Sequence, residues 1–147
     1  LIGPDEEAFS RVEPEFKEKV EFLSRERLLE MEETEVSAFV KNQVGEYPLY
    51  ISIDKDVLCE TDADTNWSQG DMRLSTMLEC LGAVKEKCAE RISRILGVDI
   101  CGECDVTEPG NSALNDMANA ALLEFFTSTD VGEDIEENKN GTTGGNG

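Results

Sequence analysis

Histidine is absent from the 147 residues of this chain. That omission excludes a Ser-His-Asp triad, a Cys-His pair and zinc held by imidazole, and it leaves carboxylates as the chief hard ligands. Basic residues are scarce too: 13 lysines and arginines stand against 33 aspartates and glutamates, a formal charge of −20. A surface of that sign repels phosphate backbones and anionic bilayers, so neither nucleic acid nor membrane is expected as a partner. No apolar run approaches the roughly 20 residues needed to cross a bilayer, and the first residues lack the basic, apolar and small-residue pattern of a leader. The five cysteines are odd in number and lack the dense spacing of a secreted disulfide framework, which points to reduced thiols and a cytoplasmic setting. With 39% apolar residues over this length, there is enough material for the core of one domain.

Against that background one stretch is built for chemistry. Tyr50-Ile51-Ser52-Ile53-Asp54-Lys55-Asp56-Val57-Leu58 is a short apolar run that ends in two acids one residue apart. Side chains on a strand alternate, so Asp54 and Asp56 are expected on the same side. Two adjacent carboxylates repel unless something neutralises them, and a divalent cation does so well, which makes the pair a candidate metal site. The bland rival is an acidic strand end solvated in a loop.

In chain order, Leu1-Ile2-Gly3-Pro4 starts abruptly on apolar residues and reads as the end of a strand. Asp5 to Glu18 is acidic and mixed, and Pro14 discourages a continuous helix. Val20-Glu21-Phe22-Leu23 reads as a short strand, or else as part of an amphipathic helix with Phe16. Ser24 suits an N-cap before Arg25 to Met31, and Thr34 another before Glu35 to Val44, with Val36, Phe39, Val40 and Gln43 on one face. The polar loop Cys59 to Asp71 is too long for a simple turn. Its Asp62-Ala63-Asp64-Thr65-Asn66 fails as an EF-hand, because Trp67 stands where the glycine belongs and Arg73 where the bidentate glutamate belongs.

Ser75 is the expected cap of a helix whose core stripe is Leu78, Leu81, Val84, Cys88 and Ile92. Ile95 to Cys101 reads as a second strand, closing on Gly102-Glu103-Cys104-Asp105, and a turn with Pro109 and Gly110 follows. Asn111 or Ser112 then starts a last helix with Leu114, Met117, Ala118, Ala121, Leu122 and Phe125 on its face. Residues 1–129 form the domain, and 130–147, acidic and then rich in glycine, make a disordered tail. Nearly apolar strands alternating with helices point to an α/β fold with a parallel sheet covered on both faces. Ligands of such sheets gather at the carboxyl edge, where Asp54, Asp56 and Glu103 all fall.

The Ser52 to Leu58 run, the Asn66-Trp67-Ser68-Gln69-Gly70 loop, the Leu74-Ser75 helix start and the Val98 to Glu103 strand together resemble the C-terminal half of the arginase/agmatinase (ureohydrolase) family. The resemblance implies a three-layer αβα fold of the arginase-deacetylase type, here incomplete. It implies that Asp54 and Asp56 are ligands of a binuclear manganese centre, and that Glu103 holds the guanidinium of the substrate. The implied activity is hydrolysis of linear amidine or guanidino C–N bonds by a metal-bridged hydroxide. Lys55 departs from the family, where a small or apolar residue separates the aspartates, and Cys59 stands where an aspartate commonly follows. The family's histidine ligand and its Asp-x-His-x-Asp motif are missing, so no catalytic residue is assigned within this chain.

The expected substrate is a small guanidino or amidine compound, and the expected assembly is an oligomer or a pairing with a chain that supplies the N-terminal half. The alternative is a non-catalytic fragment or interaction subunit with an open sheet edge. For Glu103 the bland rival is a structural ion pair. Cys101 and Cys104 have the spacing of a redox or zinc pair but lack a second pair, so structural thiols are expected. Trp67 either lines a substrate pocket or packs on the core.

Overall fold

A computed structural model describes residues 1–91, 94–104 and 112–128, leaving aside the side chain of Ser112. The expected tail at 130–147, the turn at Pro109 and Gly110, and Ile92, Asp105 and Asn111 lie outside the described residues. The N-terminal third is helical: α1 (Glu6–Ser10), α2 (Pro14–Lys17), α3 (Arg25–Glu30) and α4 (Glu33–Gln43). Then follow β1 (Leu49–Asp54), a 3-10 turn (Lys55–Val57), α5 (Leu74–Arg91), β2 (Ile95–Cys101) and α6 (Ser112–Thr127).

The two strands pair in parallel, with Ser52 opposite Asp99, Ile53 opposite Ile100 and Asp54 opposite Cys101. A parallel pair cannot be closed by a hairpin, and α5 lies in the crossover between the strands. It packs against α4 and against α6. The architecture is therefore mixed α/β with a small two-stranded parallel sheet.

Among the described residues the sheet is covered on one face only. Ile51, Ile53, Val98 and Ile100 point into the core, whereas Tyr50, Ser52 and Asp54 are exposed. This corrects the reading of strands buried on both faces: Leu-Tyr-Ile-Ser-Ile-Asp alternates, and its polar members take the open side. The core gathers around the wholly buried Leu23, Leu58 and Leu122, with Val36, Val40 and Leu81 beside them.

Several caps differ from expectation, each for a local reason. Ser24 does cap α3, accepting from Arg27 N at 3.1 Å. At α4, Glu32 rather than Thr34 is the cap, because Glu32 and Glu35 form a reciprocal capping box. The α5 helix starts at Leu74, and its first amide donates to Asp62 Oδ2 at 2.7 Å, so a loop aspartate does the work assigned to Ser75. Val20–Leu23 is not a strand; only Leu23 makes a parallel bridge, to Ile2. On α4 Gln43 faces solvent, and on α6 Met117 does too, while Asn115, Ala118 and Leu122 turn inward.

The Cys59 to Asp71 loop is held by polar contacts. Gln69 Nε2 donates to the carbonyls of Leu58 at 2.6 Å and Ala63 at 3.2 Å. Asn115, 1% exposed, accepts from Asp64 N at 3.0 Å and donates to Asp64 O at 2.6 Å. Gly70 has no room for a side chain, since a Cβ there would lie 2.0 Å from the Val57 carbonyl oxygen. Replacing Asn115 with alanine strips both bonds from the part-buried Asp64 backbone and should destabilise the chain by about 1–3 kcal/mol in urea unfolding. An unchanged midpoint would contradict the loop's dependence on α6.

Candidate functional site

The chemistry-bearing residues gather where β1 and β2 end. Asp54 closes β1 in an extended conformation, and its Oδ1 accepts from Asp56 N at 3.0 Å. That side-chain cap folds the next three residues into the 3-10 turn, as aspartate does at turn starts. Strand alternation thus stops at Asp54, and the two aspartates are brought together by this turn instead of by the pleat. The turn also sends Lys55 inward.

Gly102 makes room for the arrangement. A Cβ at this position would lie 2.8 Å from Asp54 Oδ1, 2.8 Å from Lys55 N and 3.0 Å from Asp56 N. Its φ of +81° is a conformation that glycine adopts without strain. Asp56 Oδ2 receives Ser68 Oγ at 3.5 Å, while Asp56 Oδ1 is buried with no hydrogen-bond partner among the described residues. A buried carboxylate oxygen without a partner is what an ion would satisfy. Yet among the described residues no group of three or more His, Cys, Asp or Glu side chains is placed to hold a metal. Among the described residues Asp54 and Asp56 are two carboxylates, one oxygen of them unpartnered, and do not by themselves make up a metal site.

The open face of the sheet carries a second acid. Asp99 Oδ2 accepts from Ser52 Oγ at 3.0 Å, and its charge, partial burial and a hydrogen bond raise the Tyr50 phenol above its usual range. Cys101 lies beside Asp54, and its thiol donates to Ile53 O at 3.5 Å. What burial it has, then the charges of Asp54 and Asp99, push this thiol up, so it stays protonated and is no activated nucleophile. Burial pushes the Cys80 thiol up to about 11. All five cysteines are free; Cys101 is exposed, Cys59 half-buried, and Cys80, Cys88 and Cys104 are buried.

Glu103 is paired with Lys55 and with Asn119 of α6. Lys55 is 0% exposed, and its Nζ donates to Glu103 Oε1 at 2.5 Å and to Asn119 Oδ1 at 2.9 Å. Asn119 Nδ2 donates to the same Glu103 oxygen at 3.1 Å, and the Glu103 side chain remains 56% exposed. Burial pushes the Glu103 carboxyl upward, but the hydrogen bonds from Lys55 and Asn119 and the Lys55 charge outweigh it and hold the group below its usual range.

Trp67 does not pack on the core: it is 89% exposed, on the loop whose Ser68 reaches Asp56. Two surface clefts, about 180 Å³ beside Leu28, Val36 and Met72 and about 430 Å³ beside Lys85 and Phe125, lie away from Asp54, Asp56 and Glu103. Sequence reasoning passed over Asn115 and Asn119, whose four-residue spacing on α6 was a usable signal. Lys55 was noticed only as a departure from a motif.

No family model matches the chain, and no solved structure matches it. Over 85 residues, 56% of the chain, it is 35% identical to an uncharacterized protein of Thermotoga maritima. The matched segment is 32% of that relative, so the chain spans about a third of its length.

Removing Glu103 leaves a buried ammonium without its counter-ion, whereas Lys55→Met removes the charge and keeps the volume. Glu103→Ala should cost about 3 kcal/mol and Lys55→Met less than about 1.5 kcal/mol in urea unfolding; the reverse order would contradict the ion-pair account. Because the folded Glu103 carboxyl titrates below its ordinary value of 4.5, its contribution is present above that pH and is lost as pH falls through the folded value. The stability gap between the native chain and Glu103→Gln should therefore shrink below about pH 4.5, as read from urea midpoints across pH. In thiol titration the folded chain should expose Cys101 and Cys59, with Cys80, Cys88 and Cys104 reacting only on denaturation.

Proposed function

We propose that this chain carries the two-aspartate arm of a divalent-metal centre, manganese by its resemblance, in a hydrolase of linear amidine or guanidino-type C–N bonds. The observation that carries the reading is the Asp56 oxygen, buried and unpartnered among the described residues, two residues after an aspartate whose own carboxylate accepts from Asp56 N. Asp54 and Asp56 would hold the metal, which when bound supplies a water acidified to near-neutral pKa. Ser68 orients the outer oxygen of Asp56, and Gly102 lets the Asp54 carboxylate lie close against the backbone. Lys55 and Asn119 hold Glu103 at the same end of the sheet.

The remaining ligands would come from outside the described residues, through an oligomer or a chain supplying the N-terminal half. The three-layer arginase-type sheet and a cytoplasmic setting belong to the same proposal. Among the described residues no helix is long and apolar enough to cross a membrane. The open polar face of the two-stranded sheet favours a second reading, a non-catalytic subunit that pairs with another chain.

Manganese titration by calorimetry and by electron paramagnetic resonance tests the first reading. Weak binding that falls at least tenfold in both Asp54→Asn and Asp56→Asn, with no turnover by the chain alone, is the expected outcome. No binding at millimolar manganese would remove the metal reading, and tight binding with turnover would remove the claim of an incomplete site.

A further inference from the structure

The open face of the sheet is a row of three cross-strand pairs, Tyr50 with Gly97, Ser52 with Asp99 and Asp54 with Cys101. Tyr50, Ser52, Asp54 and Cys101 are exposed on it, Tyr50 to 67%. The Tyr50 ring lies against Gly97, where a Cβ would come within 2.9 Å of it, so the first pair makes an apolar step. Each of the two pairs that follow carries an acid. Asp99 is met by hydroxyls, Ser52 Oγ at 3.0 Å and the Tyr50 phenol. Neither Asp99 nor Asp54 forms a salt bridge among the described residues. Parallel sheets are ordinarily covered by helices on both faces, and here helices cover one.

The sign of this face selects what can cover it. A second copy laid face to face would set Asp54 and Asp99 against the same acids, and like charges placed opposite each other repel. The residues of the chain outside the described ones carry seven acids and one base, Lys139, and so have the same sign. Phosphate backbones and anionic bilayers are repelled as well. We propose that the face docks a basic amphipathic helix of a partner protein, laid along the strands with an apolar side chain on Tyr50 and Gly97 and with arginines or lysines one and two turns further on, facing Asp99 and Asp54. The spacings agree: successive pairs on the face are about 6.6 Å apart along the strands, and four residues of helix rise about 6 Å. This deepens the reading of the chain as a subunit that pairs with another, rests on that reading for the existence of a partner, and requires no metal.

The test uses three helical peptides that differ only at the two acid-facing positions, which are arginine, glutamine or glutamate. Each is titrated into the ¹⁵N-labelled full chain at low ionic strength with a metal chelator present. The arginine peptide should shift the amides of Tyr50, Ser52, Gly97 and Asp99. Its affinity should fall at least fivefold in Asp99→Asn but less than twofold in Glu30→Gln, an equal charge change on α3 outside the face. The glutamine peptide should bind the native chain at least fivefold more weakly, and the glutamate peptide not at all. Ser52→Lys sets the chain's own base opposite Asp99 and should weaken the arginine peptide likewise, which decides the matter should Asp99→Asn not fold. Equal losses in Asp99→Asn and Glu30→Gln would overturn the proposal, since the peptide would then answer only to the net charge of −20. Arginine and glutamine peptides that bind the face equally would overturn the basic helix and leave the pairing reading standing, whereas no shift on the face with any peptide would overturn both. With metal chelated, none of these outcomes bears on the manganese reading.

Discussion

A lysine ammonium shut away from water has to be neutralised where it lies, and the end of the sheet is arranged around that requirement. Lys55 reaches from the turn after β1 to Glu103 after β2 and to Asn119 on α6. One charge thus fixes three parts of the chain that are far apart in sequence. Because taking charges out of water costs about as much as pairing them returns, the triangle matters more for where these segments sit than for net stability. Asn115, one turn earlier on α6, ties down the long loop by similar means, satisfying the part-buried backbone of Asp64 instead of a charge.

The acids at this edge are sorted by that constraint. Sending Lys55 inward requires the chain to leave the strand after Asp54, and the Asp54 side chain stabilises that departure by accepting from Asp56 N. The same turn brings the two aspartates together and leaves one Asp56 oxygen buried without a partner. The edge therefore presents two carboxylates that form no salt bridge among the described residues and a third, Glu103, paired with Lys55.

Much of the fold was legible from local pattern. The apolar period placed β1, α5, β2 and α6, and the helix between the strands implied their parallel pairing. The one-sided cover of the sheet was legible too, in the alternation Tyr50, Ser52, Asp54 against Ile51 and Ile53, but the apolar run hid it. The α4 and α5 caps were not, because Glu32 acts through a reciprocal pair and Asp62 acts from 12 residues away. At the site, the expected strand alternation through Asp56 does not occur, since a 3-10 turn begins after Asp54. The partnership of Lys55 with Glu103 spans 48 residues, and no periodicity reports a contact of that kind.

Everything above depends on the Lys55 ammonium being buried and held. Lysine-selective ¹H–¹⁵N correlation spectra of the native chain read this directly. The account predicts one ammonium group protected from exchange with water, hydrogen-bonded to a carboxylate and absent from the Lys55→Met spectrum. Spectra in which every lysine ammonium exchanges at the rate of a free side chain would contradict it.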